Sequence, residues 1–171
     1  MPTDWIPSLW LDMFDEMVEE ELDYNDYWTF NFNYKLLAKL TADERRRGWK
    51  IYSHCAPGQF RCGTCSRSWR SARVVVLFKY RLRTNSERGT VLMRPFCQAY
   101  RRCDGDFYFP GFSKKNAEEA LLRLFGKIRK NCYGEEEEED DSCSVGSERV
   151  RTKPHEASFC EACDLEICCT D

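Results

Sequence analysis

Phe60-Arg61-Cys62-Gly63-Thr64-Cys65 has a distant counterpart in Phe159-Cys160-Glu161-Ala162-Cys163. Each is an aromatic residue leading into C-x-x-C. Two residues between cysteines let both sulfurs face one ion, and two such pairs supply four thiolates to a tetrahedral zinc. The pairs lie far apart in the chain, so a shared metal would tie the start of the core to its end. The fold expected from this is α+β: a zinc-stapled antiparallel sheet with a long helix in the C-terminal half and an amphipathic helix at the N-terminus.

The totals agree with a metal rather than a disulfide scaffold. The chain has 171 residues and eleven cysteines. It has no basic, apolar and small-residue zones of a signal peptide and no apolar run of membrane-helix length. A cytosolic chain is expected, and the cytosol keeps thiols reduced. Metal binding then accounts for the cysteines better than a disulfide framework does.

Charge is segregated along the chain. Residues 1–44 carry eleven acids against two bases, and residues 45–103 carry fifteen bases against one acid. Residues 135–171 are acidic again, so a formal net charge of -3 hides a basic centre between acidic ends. Such a centre suits an anionic partner, or is a solvated basic sheet face shielded by the ends.

Around the first pair, Val74 to Phe78 reads as a central strand, β-branched or apolar throughout. Strict alternation follows: Phe78, Tyr80 and Leu82 on one face, Lys79, Arg81 and Arg83 on the other. Thr84 to Gly89 is a turn and Thr90 to Phe96 the return strand, with Pro95 marking an edge or a strand end. Pro57-Gly58 and Arg45-Arg46-Arg47-Gly48 read as turns. Tyr27 to Phe32 reads as an edge strand. Trp5 to Glu20 has a wide apolar stripe (Leu9, Trp10, Met13, Phe14, Met17, Val18), with Asp4 as N-cap and Pro7 in the first turn. That stripe packs on its own domain or takes a partner. Ser113 caps a helix from Lys114 to about Lys130, buried through Ala117, Ala120, Leu121, Leu124, Phe125 and Ile128. The acidic run Glu135 to Asp141 cannot bury anything, so residues 135–153 read as a disordered acidic loop. The organisation is therefore a helix and break over 1–26, a zinc-binding domain over 27–134 and 154–169, and the acidic loop between.

The remaining metal candidates are Cys103, Cys132, His155 and Cys97. Cys-Gly-x-Cys also resembles the redox motif of thioredoxin-like proteins, but that chemistry needs a helix N-terminus at the first cysteine. Here a strand follows, so structural zinc is the better reading. Closed thiolate sites are not catalytic, and neither a metalloprotease helix nor a nucleophile elbow nor a phosphate loop occurs. No enzyme is expected.

Gly58-Gln59-Phe60-Arg61-Cys62-Gly63-Thr64-Cys65, Trp69, Val74 to Phe78, Met93-Arg94-Pro95-Phe96, Cys132-Tyr133-Gly134 and His155 leading to Phe159-Cys160-Glu161-Ala162-Cys163 together resemble the zinc-binding domain of the receptor-transporting proteins, the three-C-x-x-C type. The resemblance runs from about Trp49 to Cys168. It implies a structural zinc domain on the cytosolic face of membranes. That domain would bind G-protein-coupled odorant or taste receptors directly and, like a chaperone, help their insertion into membranes and delivery to the cell surface.

It also implies a middle pair at Tyr100 and Cys103, where Tyr100 is no cysteine. The alternatives are that Cys97 stands in for it or that Cys103 acts with Cys132 or His155, giving one or two zinc ions. Members commonly end in a hydrophobic anchor. The sequence ends at Asp171 without one, so a truncated form or membrane contact through partners is expected. The alternative from another class is an RNA-binding zinc module. Its Arg67, Arg70, Arg73, Lys79, Arg81, Arg83 and Arg88 would track phosphates while Trp69 or Tyr80 stacks a base. Under either reading Trp69, Arg73, Lys79, Arg81 and Arg83 are the candidate partner-binding residues.

Overall fold

The computed structural model describes residues 5–22, 25–62, 65–99 and 107–134. Its first helix, α1 (Pro7–Glu21), begins where Pro7 supplies a preset φ and needs no N–H partner. The N-cap is Ile6, with no side-chain cap, rather than Asp4; Asp4 lies outside the described residues. Trp10, Met13 and Phe14 are buried at helical spacing, and Leu9, Met17 and Val18 pack against the same core. Phe14 stacks on Phe30 at 4.9 Å and meets Phe125 at 5.4 Å. The apolar stripe of α1 is thus used up inside its own domain.

Strand β1 (Tyr27–Phe32) is an edge strand, as its weak alternation suggested. A short helix, α2 (Ala42–Arg46), takes in the first half of the turn expected at Arg45-Arg46-Arg47-Gly48, and the chain turns at Arg47 and Gly48 behind it. Thr41 and Glu44 close a reciprocal capping box there, which satisfies two orphan N–H groups and so nucleates even a five-residue helix. Strand β2 (Lys50–Arg61) runs straight through Pro57-Gly58, where a turn was expected. Its register against the next strand shifts between Ala56 and Gly58. An edge strand tolerates a proline at such a bulge because no ladder N–H is required there.

Strands β3 (Ser68–Arg83) and β4 (Arg88–Pro95) form the long hairpin. Val74 to Phe78 is buried on both faces, as a central strand requires. Pro95 ends β4, which is an interior strand: the sheet order is β1-β4-β3-β2. Pairs β2–β3 and β3–β4 are antiparallel, but β1 joins β4 in parallel, so the sheet is mixed rather than wholly antiparallel. A parallel neighbour needs a crossover, and α2 with the β2–β3 hairpin supplies it.

Two strands of two residues each, β5 (Gln98–Ala99) and β6 (Phe107–Tyr108), pair beyond β4. The last element is α3 (Lys114–Tyr133), capped by the Ser113 hydroxyl accepting from the Asn116 N–H and ended by Gly134 in the left-handed region at φ 69°. Helices α1 and α3 cover one face of the sheet over Val76, Phe78, Tyr80, Val91 and Met93. The other face has a smaller cluster in which Leu36 and Phe96 pack on Val75 and Leu77.

Candidate metal centre

The first C-x-x-C is the tip of the β2–β3 hairpin. The last rungs of the ladder are Phe60 opposite Trp69 and Arg61 opposite Ser68. Beyond them the Cys62 N–H donates to the Arg67 carbonyl at 2.9 Å, and the Ser66 N–H donates back to the Cys62 carbonyl at 3.0 Å. Ser66 has φ 61°, a left-handed conformation rare for a residue with a Cβ. The backbone therefore doubles back tightly across the pair. No helix follows Cys62, which removes the helix N-terminus that thiol redox chemistry would need.

The aromatic prefix is part of the support. Phe60 is fully buried and stacks on Trp69 at 5.3 Å with their planes 13° apart. The Trp69 indole N–H donates to the Gln98 side-chain carbonyl at 3.4 Å, and the Gln98 amide donates to the Ser71 hydroxyl at 2.9 Å. Gln98 is paired with Tyr108 across β5 and β6, and the buried Cys62 thiol donates to the Tyr108 hydroxyl at 3.9 Å. A bridge between Gln59 and Gly111 fastens the chain after β6 to β2. The sequence reading missed Ser71, Gln98 and Tyr108. The available signal was Ser71, a hydroxyl on a strand residue that is buried here and satisfied by a second polar side chain.

Cys62 is buried and Cys65 exposed at this tip. Buried Cys97 directly precedes Gln98 and so joins the same end of the sheet. Two thiols across a tight backbone reversal fit half of a tetrahedral zinc site. Among the described residues no group of three or more His, Cys, Asp and Glu side chains gathers to complete one. Cys103, His155, Cys160 and Cys163 lie outside the described residues.

Cys132 is elsewhere. It sits on the last turn of α3 against the backbone of Leu82, and burial pushes its thiol pKa up. Leu82 and Ser68 stand near opposite ends of β3, a span of roughly 45 Å at the usual rise per residue. The structure does not bring Cys132 to Cys62 and Cys65. Cys55 is disulfide-bonded, which the expectation of reduced thiols throughout did not include.

The candidate partner-binding residues fall into two groups. Trp69 is held between Phe60 and Gln98, and Arg73 follows it on the same strand. Lys79 and Arg81 do not form an open basic face. Lys79 is ion-paired with Glu44 of α2, and its ammonium lies 5.0 Å from the Trp49 ring centre. Lys79 holds the Glu44 carboxyl below its ordinary pKa. Arg81 lies over the same ring at 4.5 Å and is nine-tenths buried, whereas Arg83 is exposed at the strand end. Tyr80 is buried with its hydroxyl accepting from Asn131 at 2.8 Å, so it offers no face to a base. His54 is buried, 2.9 Å from the Tyr52 hydroxyl through Nδ1; desolvation, helped by Arg123, lowers its pKa to about 4. No helix among the described residues is long and apolar enough to cross a membrane.

Comparison with known proteins follows the same residues. Positions 55–166 match the 3CxxC zinc ribbon family, described as a zinc-binding domain. The chain is 34% identical to Receptor-transporting protein 4 of Homo sapiens over 160 residues, which is 93% of this chain and 63% of that protein. It is 31% identical to Receptor-transporting protein 3 of Mus musculus, covering 93% of this chain and 33% of that one. For Receptor-transporting protein 2 of Mus musculus the identity is 33%, over 75% of this chain and 57% of the relative. The chain thus spans between a third and just under two thirds of these relatives' length. No solved structure matches it. The knuckle-like tip at Cys62 and Cys65 and the likeness along nearly the whole chain lead to one conclusion: the chain belongs to the receptor-transporting protein family, whose 3CxxC zinc-binding domain it carries.

Proposed function

We propose that this protein is a non-enzymatic accessory factor that promotes the trafficking of G-protein-coupled receptors, odorant or taste receptors among them, to the cell surface by direct binding. The observation that carries this is likeness over 93% of the chain to a protein named for receptor transport. Zinc is the cofactor, one or two ions held structurally. Cys62 and Cys65 would supply two thiolates, and Cys160 and Cys163 two more, with Cys103, Cys97 and His155 as further donors. Bound zinc supplies no reaction here; it crosslinks the chain, and its binding free energy becomes folding free energy.

The division into residues 1–26, 27–134 with 154–169, and an acidic segment 135–153 belongs to the same proposal. So does a place on the cytosolic face of membranes. The chain's own contribution is a braced hairpin tip: Phe60, Trp69, Gln98 and Tyr108 support that end of the sheet from four strands. The RNA-binding alternative draws less support, because Lys79 and Tyr80 already have partners inside the fold.

The test is surface delivery of an odorant or taste receptor in cells, with and without the protein, with Cys160→Ser as control. The protein is used both as it stands and with a membrane anchor appended. Raised surface receptor, lost in the variant, supports the proposal. No change in delivery across several receptors with either form sinks it, and salt-dependent RNA binding is then measured.

A further inference from the structure

A cleft of about 340 Å³ opens at the β3–β4 turn, lined by Arg47, Arg81, Arg83 and the polar side chains of Thr84, Asn85 and Ser86. Three arginines therefore line one opening. Arg81 is the informative one. It is 9% exposed, and among the described residues its guanidinium has no carboxylate partner or hydrogen bond. Its contact is the Trp49 ring. Buried charges in folded proteins are ordinarily paired and hydrogen-bonded, since leaving one without a partner is costly.

The surroundings add charge instead of cancelling it. Arg83 also lacks an ion pair among the described residues, and it stands directly opposite Arg88 in the β3–β4 register. Like charges directly opposed across a sheet are destabilising. Desolvation, and after it the field of Arg83 and Arg47, lowers the Arg81 pKa. The nearby acids do not neutralise the group: Glu44 is taken by Lys79, and Asp43 meets Arg47 at 3.1 Å on an exposed rim. Glu87, in the turn itself, forms no ion pair among the described residues.

We propose that this cleft is a binding site for phosphomonoester groups carried on a small hydroxylated ring, of the inositol phosphate class. The guanidiniums of Arg47, Arg81 and Arg83 bind the phosphate oxygens, and Thr84, Asn85 and Ser86 meet ring hydroxyls. Guanidinium is the donor best shaped for phosphate oxygens. The cleft's size suits a small polar ligand. Among the described residues no aromatic side chain lines it to give a stacking surface for a nucleotide base. The same ring reaches a protein either free or as a lipid headgroup, and the chemistry of the cleft is common to both.

The inference does not depend on the receptor reading. Its test uses the full chain and two probes: inositol trisphosphate in titration calorimetry, and flotation with phosphatidylcholine vesicles with or without phosphatidylinositol bisphosphate. Arg83→Gln and Arg47→Gln, both at exposed positions, are expected to weaken binding about tenfold or more each, as loss of a charge-assisted contact does. Arg67→Gln and Arg70→Gln make the same charge change at the far end of β3 and are expected to leave binding within about twofold, since they lie beyond a Debye length. Thermal melts establish that each variant is folded. Binding of both probes assigns the phosphorylated ring itself as ligand, and binding of vesicles alone assigns the lipid headgroup. If neither probe binds, or if the far-end variants weaken binding as much as Arg83→Gln does, the site is overturned.

Discussion

Trp28 lies across Gly89. The two are register partners in the parallel pair β1–β4, and a Cβ placed on Gly89 would stand 2.1 Å from the indole. The indole N–H then donates to the Tyr133 hydroxyl at 3.1 Å, and that hydroxyl donates to Asp26 at 2.7 Å. Burial and the Asp26 acceptor raise the Tyr133 pKa. One aromatic thus joins an edge strand, an interior strand and the end of α3. Gly89→Ala forces the indole away and disturbs all three. The expected loss is about 2 kcal/mol or more, as for overpacked cores, read as a lower denaturant midpoint. A midpoint equal to wild type would mean that Trp28 does not pack as described.

Helix α1 is a structural part of the domain, because Phe14 is enclosed by Phe30 and Phe125. Phe14→Ala leaves a cavity between two helices and the sheet. A loss of about 3–5 kcal/mol is expected, large against the total stability of a domain of this size. Exposed Leu11→Ala, on the same helix, is expected to change stability by about 0.5 kcal/mol or less. Equal effects of the two substitutions in a denaturant titration would contradict the packing of α1.

His54 makes stability depend on pH. Its folded pKa of about 4 lies below the ordinary 6.5 because burial disfavours the charged ring. Between those values the unfolded chain binds the proton and the folded one does not. The His54 contribution is therefore whole above about pH 6.5 and lost progressively as pH falls toward 4. The size is about 3 kcal/mol at full shift. Melts of wild type and His54→Gln across that range are expected to converge as pH falls, because the variant lacks this titration. Parallel curves would show that His54 is not the group responsible.

The sequence made the elements legible where periodicity was long. The α3 stripe and the β3 run agree with their burial because each has many residues repeating one period. What it hid was non-local. Alternation in Tyr27–Phe32 identifies a strand but contains nothing about direction, so the parallel pairing with β4 was not readable. Pro57-Gly58 has turn chemistry, yet the edge position of β2 and its bulge absorb it. The face holding Lys79 and Arg81 reads as solvated because the residues that cover it come from elsewhere in the chain: Glu44 from the short helix α2, which has no apolar periodicity, and Trp49 from the connection between α2 and β2. At the β2–β3 hairpin tip, the C-x-x-C motif itself is plain from its spacing. Its brace of Ser71, Gln98 and Tyr108 is not, since polar pairings across strands leave no periodic trace.

Zinc content separates the cysteines by position. Cys62 sits at the hairpin tip and Cys132 by Leu82 at the other end of β3, too far apart for one ion with thiolate bonds of about 2.3 Å. Cys62→Ser is expected to lower the zinc-to-protein ratio, measured by elemental analysis of purified protein, and to lower the melting temperature. Cys132→Ser is expected to leave the ratio unchanged, with at most a small loss of stability from a hydroxyl in a half-buried thiol's place. Chelation should then destabilise wild type and Cys132→Ser alike, because metal binding is part of the folding free energy only where the ligands lie. If Cys132→Ser loses zinc as Cys62→Ser does, a second ion is held at the α3 end by donors outside the described residues, and the single-ended site is wrong.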